Sequence, residues 1–197
     1  MSEFHPQRSK WPGQFWHRCL LLLALGGWLG ASSVKGEEKY SEHAVKAAFV
    51  VNFINFVEWP ATTNAPATNH VVLGAYGGEK YLEALEIAAR QSVTRAGKII
   101  VRKLTEPRDA AACDLIFIAA DVDAAPLVGA LKSAPVLTIS DGSHFAEHGG
   151  IIELVTVGQN LRFDINLGAG QQAGLKISSQ ILRLARRILP PPAKSGR

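Results

Sequence analysis

Ser140-Asp141-Gly142-Ser143-His144 places the three residue types of a nucleophilic triad side by side, and His148 follows His144 four positions later. The first pattern would suit acyl transfer and the second a metal-assisted hydrolysis. Neither is well founded. A triad is built from separated parts of a fold because its three groups must approach from different directions. The chain also carries no G-x-S-x-G elbow. A closed zinc site wants four ligands of defined geometry. Asp141 and Glu147 add oxygen donors near the two histidines, but past the first 40 residues only His43 and His70 remain to complete a set. The glycines of Gly74-Ala75-Tyr76-Gly77-Gly78 do not keep the G-x-G-x-x-G spacing of a dinucleotide loop. They read as a turn that needs positive φ. The expectation is a protein that is no enzyme and takes no cofactor or metal.

The elements around these residues alternate. Val45, Phe49, Phe53 and Phe56 recur at helical spacing, which predicts a helix over 40–57 with Ser41 as N-cap. Trp59-Pro60 stops it, because a residue before proline is pushed out of the α region. Residues 61–69 read as a loop. Short apolar strands are predicted at 70–75, 98–104, 114–119 and 135–140, with helices at 79–90 and 122–133 and a short turn or helix at 107–112. That order means right-handed crossovers and a parallel sheet. Residues 151–157 and 160–165 flank Gly158-Gln159 and predict an antiparallel hairpin. Asn166 is placed to cap the segment after the hairpin. Ile177, Ile181, Leu184 and Ile188 predict one closing helix, with Arg183, Arg186 and Arg187 at its C-terminal end, where the macrodipole favours cations. The fold class is α/β: a single three-layer domain with a mainly parallel sheet of four strands, a C-terminal antiparallel hairpin and helices on both faces.

The first 33 residues combine a basic start, an apolar run from Cys19 to Ala31 and a small-residue exit at Ala31-Ser32-Ser33. Those are the three parts of a secretory signal peptide. The expected organisation is a leader at 1–33, a domain at 40–189 and a disordered tail at 190–197. Export places the domain in the periplasm. Losing Arg8, Lys10, Arg18 and Glu3 halves the net formal charge, from +4 to +2. The remaining Lys and Arg are scattered among acids, so no nucleic-acid footprint remains. Cys113 is then alone beside the apolar run Leu115-Ile116-Phe117-Ile118, and burial is expected of it.

Several stretches resemble the YfiR-like family of periplasmic proteins. They are Ala44-Val45-Lys46-Ala47-Ala48-Phe49 through Phe56-Val57-Glu58-Trp59-Pro60, Cys113-Asp114-Leu115-Ile116-Phe117-Ile118, and Pro135-Val136-Leu137-Thr138-Ile139-Ser140-Asp141. Phe145-Ala146 with Gly149-Gly150-Ile151-Ile152, Leu161-Arg162-Phe163-Asp164-Ile165-Asn166-Leu167 and the run from Ala173 to Ala185 continue the likeness. The resemblance implies a non-enzymatic repressor that binds the periplasmic sensory domain of an inner-membrane diguanylate cyclase. Such binding lowers cyclic di-GMP and biofilm formation. A homodimer is also implied. The family's disulfides do not carry over: Val71 stands where the partner of the cysteine at 113 would be, and the region from Phe145 to Glu153 has no cysteine.

The residues expected to meet a partner are Phe145, Ile152, Glu153, Arg162, Asp164, Glu58 and Trp59. Phe145 lies in a glycine- and histidine-rich loop, the kind of segment that often carries function. Arg162 and Asp164 share the polar face of their strand, which either meets a partner or forms a solvated ion pair with Glu153. Trp59 either anchors a contact or packs beneath the helix end. The alternative function is a periplasmic small-molecule-binding accessory protein for a sensor kinase or transporter. A polar pocket at the carboxyl ends of the parallel strands would favour it.

Overall fold

The computed structural model describes residues 41–60, 70–94 and 97–191. The expected leader, the loop at 61–69 and the tail beyond 191 lie outside the described residues. The elements in chain order are α1 (Glu42–Phe53), β1 (Val57–Glu58), β2 (His70–Tyr76), α2 (Glu79–Gln91), β3 (Lys98–Leu104), β4 (Leu115–Ile118), α3 (Ala125–Leu131) and β5 (Leu137–Ser140). They continue with β6 (Ile152–Val157), β7 (Asn160–Asn166), α4 (Leu167–Gln172), β8 (Lys176–Ile177), α5 (Ser179–Leu182) and β9 (Arg187–Leu189). Short 3₁₀ turns stand at Ile54–Phe56 and Pro107–Ala112.

The main sheet has the order β3-β2-β4-β5-β6-β7-β9. Strands β2 to β6 pair in parallel, β7 runs antiparallel to β6, and β9 returns parallel to β7. The expected mainly parallel sheet with a closing hairpin is therefore present, and the hairpin's first strand extends the parallel part by one. Both sheet faces are covered. On β4, Leu115 and Phe117 join α1 and α2 in one apolar cluster, while Ile116 and Ile118 join α3 in the other. That double burial is why β4 is continuously apolar rather than alternating. The Ser41 hydroxyl accepts from the Ala44 amide at 3.2 Å, and Asn166 caps α4 by accepting from the Ala169 amide at 2.8 Å. Both caps satisfy donors that a helix start leaves open.

Two local expectations are corrected. Helix α1 ends at Phe53, and Val57 instead pairs with Ile177 in a two-stranded sheet of β1 and β8. Its buried face is Lys46, Ala47, Val50, Val51 and Phe53, whereas Val45 is 36% exposed. The lysine is tolerated there because its long stem packs while its charge finds a buried carboxylate. The single closing helix is absent: Ile177 is in β8, Ile181 in α5 and Ile188 in β9. Leu184 is 65% and Ile188 42% exposed, so the stripe is not a core face. The outer edge of β7 offers unpaired backbone groups and a buried acid, and these outcompete local helical periodicity for the last strand.

Cys113 is buried as expected, and burial pushes its thiol up to about 11. It is expected to resist a water-soluble disulfide reagent in the native protein at neutral pH and to react fully in denaturant. Fast native labelling would show that the segment between the 3₁₀ turn and β4 opens locally.

Candidate functional site

The chain leaves β2, builds α2 and β3 on one side, and then crosses to β4 on the other. The carboxyl ends of β2 and β4 therefore bracket a topological switch point, the place where open α/β sheets bind ligands. A crevice of about 410 Å³ lies there, lined by His43, Gly78, Tyr81, Ala119, Ala120, Asp121 and Asp141 among others. Gly77 and Gly78 both take positive φ, and a Cβ on Gly78 would lie 2.8 Å from both Ala119 and the Tyr81 ring. Only glycine lets the turn come this close to the end of β4.

Asp141, just past β5, organises the crevice floor. Its Oδ2 accepts from Lys46 Nζ at 2.8 Å and from the Tyr81 hydroxyl at 2.5 Å, and its Oδ1 accepts from the Ala120 amide at 2.9 Å. Lys46 also pairs with Glu42 at 2.7 Å. Burial opposes ionisation of Asp141, but the hydrogen bonds from Lys46 and Tyr81 outweigh it and hold the carboxyl below the usual range. Burial likewise opposes the charge on Lys46, yet Asp141 and Glu42 raise its pKa. Burial together with the bond to Asp141 pushes the Tyr81 phenol up to about 12. The His43 ring stands edge-on to Tyr81 with centroids 4.6 Å apart. One carboxylate thus ties α1, α2, β5 and the residue pair after β4 together in the crevice.

A second polar centre sits on the far side of the sheet. Register aligns Ser140, Glu153, Asp164 and Arg187 in one row across β5, β6, β7 and β9. Asp164 is fully buried, accepting from Arg186 Nε at 2.8 Å and Nη2 at 2.6 Å and from Arg187 Nε at 3.0 Å. Burial would raise its pKa, but the two guanidinium groups lower it. Arg187 also donates to Glu147 at 2.7 Å, and Glu147 meets His144 Nδ1 at 2.9 Å. Glu153 accepts the backbone amides of His144 and Ala146, each at 3.1 Å. These bonds hold the loop 141–150 over the sheet, with His144 at a φ of +62°.

Phe145 is the apolar counterpart of that anchoring. It is 4% exposed and belongs to the α3-side core, so its side chain does not reach solvent. A Cβ on Gly150 would lie 2.1 Å from its ring. Phe145→Ala is expected to cost about 3–5 kcal/mol. Gly150→Ala overpacks the same space at about 1–3 kcal/mol. Urea midpoints should show Gly150→Ala costing less in a Phe145→Leu background, and equal costs in both would refute this packing.

The other expected contact residues divide by burial. Ile152, Glu153 and Asp164 are interior, whereas Arg162 and Glu58 are exposed. Trp59 is half-buried, packs against the core and donates Nε1 to the Asp114 carbonyl at 3.1 Å. The cross-strand neighbour of Asp164 is Glu153, but its ion-pair partners come from β9 and the residue before it. Sequence reasoning does not single out Lys46, Tyr81, Arg186 or Arg187 as site residues. A lysine in the middle of an apolar helical run is the one legible signal, since it demands a buried partner. His144 and His148 have ring centroids 6.3 Å apart. Among the described residues no group of three or more His, Cys, Asp or Glu gathers to hold a metal ion.

A mainly parallel, doubly wound sheet with a polar crevice at its switch point defines the class as an α/β domain. The YfiR/HmsC-like family model matches residues 43–186, and the chain belongs to that family. Among solved structures it is similar to a conserved domain protein from Vibrio cholerae O1 biovar El Tor, at 14% identity and a TM-score of 0.50, over 75% of this chain and 60% of that one. It is also similar to the ABC domain in complex with L-Trp from Streptococcus pneumoniae, at 14% identity and a TM-score of 0.48, over 72% of this chain and 60% of that one. The chain thus spans 60% of the length of each of these two structures. The family supports a periplasmic regulator of cyclic di-GMP signalling at the level of the family. Among the described residues no helix is long and apolar enough to cross a membrane.

Proposed function

We propose that this protein is an exported regulator that binds the periplasmic sensory domain of an inner-membrane diguanylate cyclase and restrains it. The observation that carries this reading is the match of the YfiR/HmsC-like family over nearly the whole folded domain. Binding would act by favouring the inactive state of the cyclase. The exposed residues Arg162 and Glu58, with half-buried Trp59, contact the partner. Phe145, Ile152, Glu153 and Asp164 act from beneath, by fixing the loop and hairpin that present those residues. Pairing of two copies belongs to the same proposal, and light scattering of the exported form tests it. Cellular cyclic di-GMP is expected to rise on deletion of the gene and to return to normal when export-competent protein is restored. No rise, together with no binding to any sensory domain encoded beside the gene, would overturn the reading.

The crevice around Asp141 supports a second reading, a small-molecule-binding accessory protein for a sensor kinase or transporter. It has the size of a small ligand site and convergent polar groups at the carboxyl ends of parallel strands. A thermal-shift screen of small polar metabolites tests it. A stabilising hit whose effect is weakened by His43→Ala supports it, and a flat screen removes it.

A further inference from the structure

The two edges of the main sheet are built differently. Edge strand β3 exposes Lys98, Arg102 and Lys103, a charged border that resists pairing with another chain. The opposite edge is incomplete. Strand β9 has three residues and covers β7 only at Asp164–Asn166, and Pro190-Pro191 come directly after it. The Arg186 amide reaches the Phe163 carbonyl at 2.8 Å. Among the described residues no strand lies beside Asn160–Arg162 on the side away from β6.

The charged side chains left without an ion pair on β7 and at the end of α5 are basic. Arg186 and Arg187 are engaged by Asp164 and Glu147. Arg162 on β7 and Arg183 at the end of α5 are exposed, and neither forms an ion pair among the described residues. Leu184 and Ile188, which follow Arg183 in the chain, are exposed as well. Leu161 and Arg162 point to opposite faces of β7, so a strand laid beside them would meet an apolar face and a basic face alternately.

We propose that the open edge of β7 at Asn160–Arg162 is a docking site for an extended segment of a partner protein in which acidic and apolar residues alternate. The segment adds to the sheet as a further strand, its backbone bonding β7 and its carboxylates meeting Arg162 and Arg183. This rests on the reading of the chain as a partner-binding module and names how the partner is held.

The test uses the full exported chain and three fluorescein-labelled peptides: alternating Val and Glu, alternating Val and Lys, and the Val–Glu peptide with alternate backbone amides N-methylated. Anisotropy is expected to show the Val–Glu peptide binding at least about ten-fold tighter than the Val–Lys peptide, as two rim charges change from repulsive to attractive. N-methylation should abolish binding by removing the ladder donors. Arg162→Glu combined with Arg183→Glu, both at exposed positions, should reverse the preference. Amide exchange should slow at Leu161, whose backbone faces away from β6, and not on β3. Equal binding of the acidic and basic peptides, an unaffected N-methylated peptide or protection on β3 would each overturn the proposal. Capture of a cognate sensory domain is measured separately. If that domain binds the Arg162→Glu/Arg183→Glu variant as well as it binds the native chain, the edge proposal fails and the regulatory reading stands.

Discussion

Asp164→Ala is expected to lower the unfolding free energy by about 3 kcal/mol at neutral pH, which is a large fraction of the stability of a domain of this size. The side chain is fully buried and accepts three hydrogen bonds from Arg186 and Arg187. Its loss also frees β9, which pairs with β7 at only three positions. The arginines are half exposed and rehydrate once the acid is gone, which keeps the cost at the lower end for a broken buried pair. The carboxyl is held below its ordinary value of 3.8, so its stabilisation is full above that value and fades as pH falls through the lower folded one. Urea unfolding near pH 7 and near pH 3 should therefore show the gap between native and variant narrowing in acid. A gap that stays constant would mean that Asp164 does not lock β9 as an ionised group. Amide exchange should also speed up at 187–189 in the variant while β2 and β4 keep their protection.

Where short-range signals and tertiary context agree, the sequence is readable. The glycine pair at 77–78, the apolar run Leu115-Ile116-Phe117-Ile118 and the turn at Gly158 each settle a local geometry that the sheet then uses unchanged. Helix α2 follows from its own amphipathic pattern. The C-terminal region misleads because helical spacing of Ile177, Ile181, Leu184 and Ile188 is a local property, whereas strand pairing at a sheet edge is not. Nothing in the sequence around Arg187 announces Asp164, 23 residues earlier, as its partner. Phe145 misleads for a related reason. Glycine and histidine neighbours suggest an open loop, but Glu153 draws the backbone of His144 and Ala146 onto the sheet and carries the ring inward.

The candidate site is legible as residue types but not as an assembly. Asp141 stands out within Ser140-Asp141-Gly142-Ser143-His144, yet its real partners are Lys46 and Tyr81, 95 and 60 positions away. Spacing along the chain points to chemistry with His144, whereas the parallel crossovers bring α1 and α2 to the end of β5 instead. Buried charges of opposite sign are forced to find each other by desolvation. A lysine on a buried helical face and an aspartate just after a core strand are a pair to be matched, even without knowledge of the distance.

That pairing leads to an effect as large as any expected in the molecule. Asp141→Ala should cost about 3–5 kcal/mol, because it leaves Lys46 buried with only the exposed Glu42 as counter-charge and strips Tyr81 and the Ala120 amide of their acceptor. Tyr81→Phe, which removes one hydrogen bond and keeps the ring against Phe117, should cost about 1 kcal/mol. Lys46→Met combined with Asp141→Ala should be more stable than Asp141→Ala alone, since the double variant buries no unpaired charge. The pH profile separates this centre from simple packing. Asp141 has a depressed folded pKa, so its contribution is present above the ordinary carboxyl range and is lost as pH falls. Lys46 has a raised pKa, so its contribution persists below its ordinary value of 10.5 and is lost only at more alkaline pH. The native protein should therefore lose more stability between neutral pH and about pH 3 than the Lys46→Met/Asp141→Ala protein does. If the double variant is no better than Asp141→Ala, the cost lies in lost packing and backbone bonds rather than in an orphaned lysine. A double variant that recovers stability but loses a ligand found by the thermal-shift screen would show that the charges serve the crevice and not the fold alone.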